Sequence, residues 1–192
     1  MKKIILASTS ISRKQQLQRL NISFATVSPN VNEDDLKDKG LDHTQLSREL
    51  SLLKTRSIST LYDEAIVIGG DTIASFNGVI LSKPKTKEKG FEQLKMLAGK
   101  EHKLITSVAI KADGQEYVHT CVANMKMRNI TDEQILRYIE VDEPLYSCGS
   151  YRLDALGISL FQCIDSEDYT AIIGIPLMWT AKTLTEIGVS VP

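Results

Sequence analysis

"AIVIGGDTIASFNGVILSKP", residues 65–84, decides the fold. It starts as an uninterrupted apolar run, Ala65 to Ile68, of the kind carried by a strand buried on both faces. The β-rich pattern resumes after Asp71 and is cut at Asn77-Gly78 before a second run, Val79 to Leu81. Asn-Gly between two such runs is the strongest short-range hairpin signal, because both turn residues must take positive φ. These strands therefore pair antiparallel, which a purely parallel, doubly wound sheet does not allow. Extending the two-residue turn outward sets Thr72 opposite Lys83 and Asp71 opposite Pro84. Pro84 has no N–H for a ladder, so "KPKTKE" leaves the sheet as a loop.

Working outward, "KKIILA" predicts a first strand, and Ser8, Thr9 and Ser10 supply hydroxyls to cap a helix over Ile11–Leu20. "SFATVS" is a second strand, followed by the acidic loop "NVNEDD". Leu46, Leu50 and Leu53 share one face of a helix through "TQLSRELSLLKTRSISTLY", with Lys54 beside that stripe. "EKGFEQLKMLAG" is a further helix with Gly99 at its C-terminal end. "KLITSVAIKA" and "EYVHTCVANMKMR" form a second antiparallel pair about Asp113-Gly114. Thr131 and Gln134 make a capping box, "GISLFQCI" reads as a late strand, and Pro176 suits the first turn of a last helix. Helices and strands interleave while two strand pairs are hairpins. The fold class is α/β with a mixed sheet flanked by helices. No repeat, low-complexity tract or linker interrupts residues 1–192, which are read as one domain.

Composition excludes several functions. Of the 192 residues 42% are hydrophobic and 24% charged, and the net charge is −1, so no global charge draws the chain to nucleic acid or an anionic membrane. No apolar stretch approaches the ~20 residues of a membrane span, and the N-terminal run is too short for a signal-peptide core. The expectation is a cytoplasmic protein. Cys121, Cys148 and Cys163 are odd in number and lack a CxxC pair, so they are read as reduced core thiols. His43, His102 and His119 show no ligand spacing and are assigned no chemistry.

Four constellations can carry chemistry. Arg13 and Lys14 fall in the first turn of the first helix, where the helix dipole already supplies positive charge. An anion such as phosphate would satisfy both cations, the free N–H groups and the hydroxyls together. The alternative is an ordinary surface helix with both side chains in water. Asp71 interrupts an apolar strand beside Gly69 and Gly70, and the hairpin brings it towards Lys83. Since an ideal pleat puts the two on opposite faces, a bulge or strand-end twist would have to re-aim one of them. Lys83, Lys85 and Lys87 would suit a polyphosphate, or form a solvated basic loop. Glu33 could join Asp71 around a divalent cation, or be one of three solvated loop acids. Asp154, among small residues in "CGSYRLDALG", could accept two hydrogen bonds from a guanine edge or serve a turn. The acidic run Asp165 to Asp168 reads as a solvated loop.

In this order, "ILASTSISRK", "PNVNED", "LSLLKT", "IGGDTI", "LSKP", "ITSVAI", "CGSYRLDALGISLF" and "IGIPL" resemble the Maf family of nucleotide pyrophosphatases, once known as septum-formation inhibitors. The resemblance spans Lys3 to about Leu177. It implies an elongated mixed sheet in two lobes with a central cleft, similar to the inosine-triphosphate pyrophosphatase (Maf/Ham1) architecture. It also implies hydrolysis of a nucleoside triphosphate to the monophosphate and pyrophosphate with a divalent metal, Mg2+ or Mn2+. Ser8 and Arg13 would then bind phosphates, with Lys14 beside them. Glu33 and Asp71 would be the acidic, metal-binding pair, with Asp71 as proton acceptor. Lys54 and Lys83 would neutralise phosphate charge. A homodimer is possible.

This chain departs from the family in places. The family's serine-proline-arginine-arginine stretch lacks its proline, and its second arginine is Lys14, which cannot form a bidentate fork. Asn32 replaces an aspartate, and Ser107 a glycine. Substrate choice in the family turns on Ser12, Thr72 and Asp154. Thr72 matches the dTTP/UTP branch, whereas Asp154 keeps the carboxylate of the 7-methyl-GTP branch. A carboxylate pairs purine donors and repels uracil carbonyls, so 7-methyl-GTP is the expected substrate, with dTTP or UTP the alternative. Two rival functions use the same cradle. A non-catalytic nucleotide-binding regulator of cell division needs neither Asp71 nor a metal, and a nucleotidyltransferase needs a phosphorylated acceptor.

Overall fold

The computed structural model of the chain describes residues 2–37 and 39–191 and is organised on the strand quoted above. The chain runs β1 (Ile4–Ala7), α1 (Ile11–Gln18), β2 (Ala25–Val27), α2 (Asp34–Lys37), α3 (His43–Ser59), β3 (Ile66–Phe76), β4 (Val79–Leu81) and α4 (Lys87–Leu97). It continues with β5 (Glu101–Ala112), β6 (Gln115–Met127), α5 (Asp132–Asp142), β7 (Phe161–Asp165) and α6 (Leu177–Glu186), with short 3-10 turns after α5 and before α6. The sheet has seven strands in the order β2-β1-β3-β5-β6-β7, with β4 paired to β3. β1 is parallel to β2 and β3, while β3–β4 and β6–β7 are antiparallel. The sheet is mixed, as the hairpin requires.

Both predicted turns have the backbone their residues favour. Asn77 and Gly78 take φ of 49° and 78°, and Asp113 and Gly114 take 52° and 76°. The β3–β4 register, Ala74 to Leu81, Ser75 to Ile80 and Phe76 to Val79, is the one the Asn-Gly turn sets. The ladder ends there, however, and the expected Thr72–Lys83 and Asp71–Pro84 pairs do not form. Ser82 to Thr86 lies outside regular structure, with the Lys85 N–H donating to the Leu145 carbonyl. Lys87 is not part of a phosphate loop. Thr86 caps α4, and Lys87 in its first turn pairs with Glu140 of α5.

The described residues fall into two compact units. The first comprises residues up to Thr72, Thr106–Cys121 and those from Asp168 on; the second comprises Ile73–Ile105 and Val122–Glu167. In the first unit the apolar run of β3 is buried on both faces. Ile66 and Ile68 join Ile4, Leu6, Leu17, Val108, Ile110, Ile175 and Leu184 on one face, while Val67 joins Ile5, Ala7 and Ile58 on the other. A parallel strand covered on both faces requires such a run. In the second unit Leu94, Leu97, Met125, Met127, Ile135 and Ile139 are buried, and Tyr151 stands edge-on to Phe161 with His102 against both rings.

Three expectations are corrected. "GISLFQCI" is only half a strand. Leu156–Leu160 winds as a 3-10 turn because Gly157 packs onto the Arg152 backbone, so closely that a Cβ there would lie 2.4 Å from the Arg152 carbonyl oxygen. The thiols are not uniformly core residues: Cys121 is buried, Cys148 half-buried and Cys163 exposed. Asp168 is not a solvated acid but 3% exposed. Its carboxylate accepts from the Thr170 N–H and hydroxyl and from the Met178 N–H. Pro176 has no side chain able to cap α6, so Asp168, together with the Thr170 hydroxyl receiving the Leu177 N–H, caps it instead. No helix of the described residues is long and apolar enough to cross a membrane.

Candidate active site

The site's geometry starts from two glycines. Gly69 lies where α3 crosses β3, and a Cβ there would meet Thr55 Oγ1 at 2.3 Å and the Ser51 carbonyl oxygen at 2.9 Å. Only the absence of a side chain lets the helix come this close. By strand alternation Asp71 points to the same face and therefore meets the buried side of α3. Lys54 stands there, with its Nζ 2.6 Å from Asp71 Oδ1 and 2.9 Å from Glu33 Oε1. The side chains of Lys54 and Asp71 are only 11% and 10% exposed. A charge this deeply buried needs a partner, and one ammonium gathers two carboxylates. Glu33, read from sequence as a member of the acidic loop, is brought to Asp71 through Lys54. Asp71 Oδ2 accepts no hydrogen bond from the described residues, nor is it sealed from solvent.

On the opposite face of β3, Gly70 makes room for Arg13. A Cβ at Gly70 would lie 3.3 Å from Arg13 Nε. Arg13 Nε donates to the Gly174 carbonyl at 3.0 Å and Nη2 donates to Thr72 Oγ1 at 3.0 Å. The Thr106 hydroxyl donates to the same Thr72 oxygen at 3.3 Å. Arg13 thus reaches the residue next to Asp71, but from the other side of the strand. The β1 ladder stops at Ala7 opposite Gly69, so Gly70, Asp71 and Thr72 extend past the end of β1.

The α1 N-terminus lies at that end. Of the three hydroxyls offered by the sequence, Ser10 is the cap and accepts from the Arg13 N–H. Ser8 is buried, and its oxygen accepts from the Ser10 N–H. The first turn contains no acid. Lys14 is exposed and Ser12 half-buried.

Ser8, Ser12, Arg13, Lys14, Glu33, Lys54, Asp71 and Thr72 all belong to the first unit. Lys83 and Asp154 belong to the second. Lys83 is exposed just after β4. Asp154 has a carboxylate 3.7 Å from Arg152 Nε, in a segment tied to α5 by the Arg152 N–H, which donates to Tyr138 Oη at 2.9 Å. Burial together with the hydrogen bond to Asp142 pushes the Tyr138 hydroxyl far above its ordinary range, so it remains a neutral donor. Sequence reading passed over Gln16, Thr106 and Gly174. The signal for Gln16 was a polar residue beside Leu17 on the inward side of α1, and Gly174 lay within the quoted "IGIPL".

Comparison with known proteins gives the family of the chain. The family pattern described as Maf-like protein matches residues 3–187. The 7-methyl-GTP pyrophosphatase of Bdellovibrio bacteriovorus is 39% identical over 183 residues, covering 95% of this chain and 96% of its own. The nucleoside triphosphate pyrophosphatase of Acinetobacter baylyi is 33% identical over 194 residues, with 98% and 97% covered. Among solved structures, a HAM1 protein from Coxiella burnetii aligns over 68% of this chain and 75% of its own with a TM-score of 0.48 at 13% identity. With one pattern running from the first strand through the last helix, and relatives alike over nearly their full length, this chain belongs to the Maf family.

Proposed function

We propose that the chain hydrolyses a nucleoside triphosphate, preferably 7-methyl-GTP, to the monophosphate and pyrophosphate. The observation that carries this is the Asp71 carboxylate, which is nine-tenths buried, with Oδ1 fixed by Lys54 and Oδ2 open to water. A fixed carboxylate with one oxygen committed and one available is the arrangement a general base needs. Water giving its proton to Asp71 Oδ2 attacks the α-phosphorus. The new P–O bond forms as the α–β bridging bond breaks, and pyrophosphate leaves with the electron pair. Ser8, Arg13 and Lys14 bind the phosphate tail, and Lys54 counters the charge that develops on it.

Glu33 and Asp71 would hold a divalent cation, Mg2+ or Mn2+, at the point where their Oε1 and Oδ1 converge on Lys54 Nζ, the ion taking over the hold on Asp71 Oδ1 and releasing the ammonium towards the substrate phosphates. Among the described residues no cluster of three or more metal-ligating side chains exists. Two carboxylates with substrate phosphates and water completing the shell is the usual pattern for magnesium. Such an ion would neutralise phosphate charge.

For the base, Asp154 offers two acceptor oxygens that suit the amide and amine N–H groups of guanine. The name of the Bdellovibrio bacteriovorus relative, a 7-methyl-GTP pyrophosphatase, supports the same base.

The test is pyrophosphate release from a panel of standard and modified triphosphates, with and without chelator, by wild type and Asp71→Asn. The wild type is expected to turn over 7-methyl-GTP fastest and to stop with chelator. Asp71→Asn should lose about 10²–10⁴-fold in kcat while still binding nucleotide. Wild-type turnover by Asp71→Asn would remove Asp71 as base. No release from any triphosphate would favour a nucleotide-binding regulator.

A further inference from the structure

We infer that Asp142 is a positioning residue for the Arg152–Asp154 pair, and that it makes this end of the second unit select a base carrying positive charge over a neutral base of the same shape. It rests on the base-reading role proposed above for Asp154. All of the residues concerned lie in the second unit.

Asp142 sits where local physical chemistry disfavours it. It is the last residue of α5, at the negative end of the helix dipole, which repels a carboxylate. Its side chain is only 7% exposed, and Oδ2 is buried without a hydrogen bond from the described residues. The helix does not need it as a cap, because the Glu143 N–H already donates to the Ile139 carbonyl. A residue that breaks local rules without serving its own element is placed for its neighbours.

Those neighbours are Tyr138 and Arg152. Tyr138 stands one turn earlier on the same face of α5, and its hydroxyl bonds Asp142. The same hydroxyl accepts the Arg152 N–H at 2.9 Å, and the Ala155 N–H donates to the Arg152 carbonyl at 3.3 Å. Asp154 therefore lies inside a turn anchored to α5 at Arg152. The Arg152 guanidinium lies between two carboxylates, with Nη1 3.7 Å from Asp142 Oδ1 and Nε 3.7 Å from Asp154 Oδ1.

Neither distance is that of a hydrogen bond, so charge governs the sharing. Asp142 holds the guanidinium short of the bidentate fork that would cover the Asp154 carboxylate. It also adds its own negative potential, weakly screened because the group is buried. Guanine methylated at N7 keeps the amide and amine edge of guanine and adds a positive charge to the ring. That charge is stabilised here, and a neutral base gains nothing from it.

The experiment measures kcat/KM, with magnesium, for 7-methyl-GTP and for 7-methyl-7-deaza-GTP. In the second nucleotide carbon replaces N7, so the methyl group and the edge remain and the charge is lost. The wild type should prefer the charged nucleotide about tenfold. Asp142→Asn keeps the shape, frees Arg152 to close on Asp154 and should bring the ratio to within about twofold of one. Asp142→Glu keeps the charge and should keep most of the preference. Arg152→Gln removes the counter-charge and should raise the ratio, a change of opposite sign that general damage to packing does not produce. If Asp142→Asn fails to fold, Arg152→Gln decides alone.

An unchanged ratio in Asp142→Asn, or a wild type that turns over both nucleotides equally, would overturn this inference and leave hydrolysis of 7-methyl-GTP standing. A fallen ratio in Arg152→Gln would overturn it too. A wild type that hydrolyses neither nucleotide, or prefers UTP to both, would remove the proposed substrate and this inference with it.

Discussion

Asp154 is the residue proposed above to read the base. Its carboxylate is 3.7 Å from the Arg152 guanidinium, so its charge is partly countered. An amide in its place presents one acceptor and one donor, which suits a pyrimidine carbonyl better than a pair of purine donors. Asp154→Gln should therefore move the ratio of kcat/KM from 7-methyl-GTP towards UTP by one to two decades, or about 1–3 kcal/mol for a mispaired polar group. An unmoved ratio in a steady-state assay would exclude Asp154 from base selection. His102, assigned no chemistry from its spacing, is a core residue: its Nε2 meets Tyr151 Oη at 2.8 Å, and its ring packs against Phe161.

At the scale of the element, the contact of α3 with β3 matters most. The helix starts with a full capping box, in which Asp42 accepts from the Thr44 and Gln45 N–H groups while Gln45 receives the Asp42 N–H. Its inward face is Ser47, Ser51, Thr55 and Ser59 beside Leu50 and Ile58, small residues that allow close approach. Lys54 reaches Asp71 only because this face can lie against Gly69. Gly69→Ala should destabilise the chain by about 1–3 kcal/mol through overpacking. It should also lower turnover, since the helix must retreat and take Lys54 with it. Thr55→Ala in the same chain removes the 2.3 Å clash but not the 2.9 Å contact with the Ser51 carbonyl oxygen, so it should restore only part of the loss. Urea titrations of the single and double variants check this; full stability in Gly69→Ala would mean that the helix approach is not set by Gly69.

For the whole molecule, folding stability should carry a pH signature from His102. Burial lowers its pKa to about 4, against an ordinary value near 6.5, so the native state holds the ring neutral where the unfolded chain would protonate it. The contribution is complete above pH 6.5 and is lost as pH falls from there to about 4, since over that window only the unfolded chain gains the proton. The two values bound the loss at roughly 3 kcal/mol. Urea midpoints of the wild type should fall between pH 7.5 and 5, and those of His102→Phe should fall less. Equal slopes would show that His102 is not held neutral. The same burial leaves Tyr151 a neutral hydroxyl at every pH in that range, so the pair titrates through the histidine.

The α/β class, both Asn/Asp-Gly hairpins, the capping residue set and the acid on β3 were legible in the sequence because each depends on near neighbours in the chain. Positive φ at Asn-Gly, a hydroxyl three residues before a free N–H, and an apolar run for a strand covered on both faces are local requirements. Only the tertiary structure decided what those residues face. It put Glu33 and Asp71 on a single ammonium, sent Arg13 to the far face of β3, buried Asp168 as the remote cap of α6 and wound Leu156–Leu160 out of its strand. Each of these is set by how closely two distant backbones approach, at Gly69, Gly70, Gly174 and Gly157. A glycine in a sequence marks where such an approach is allowed, but not which segment arrives.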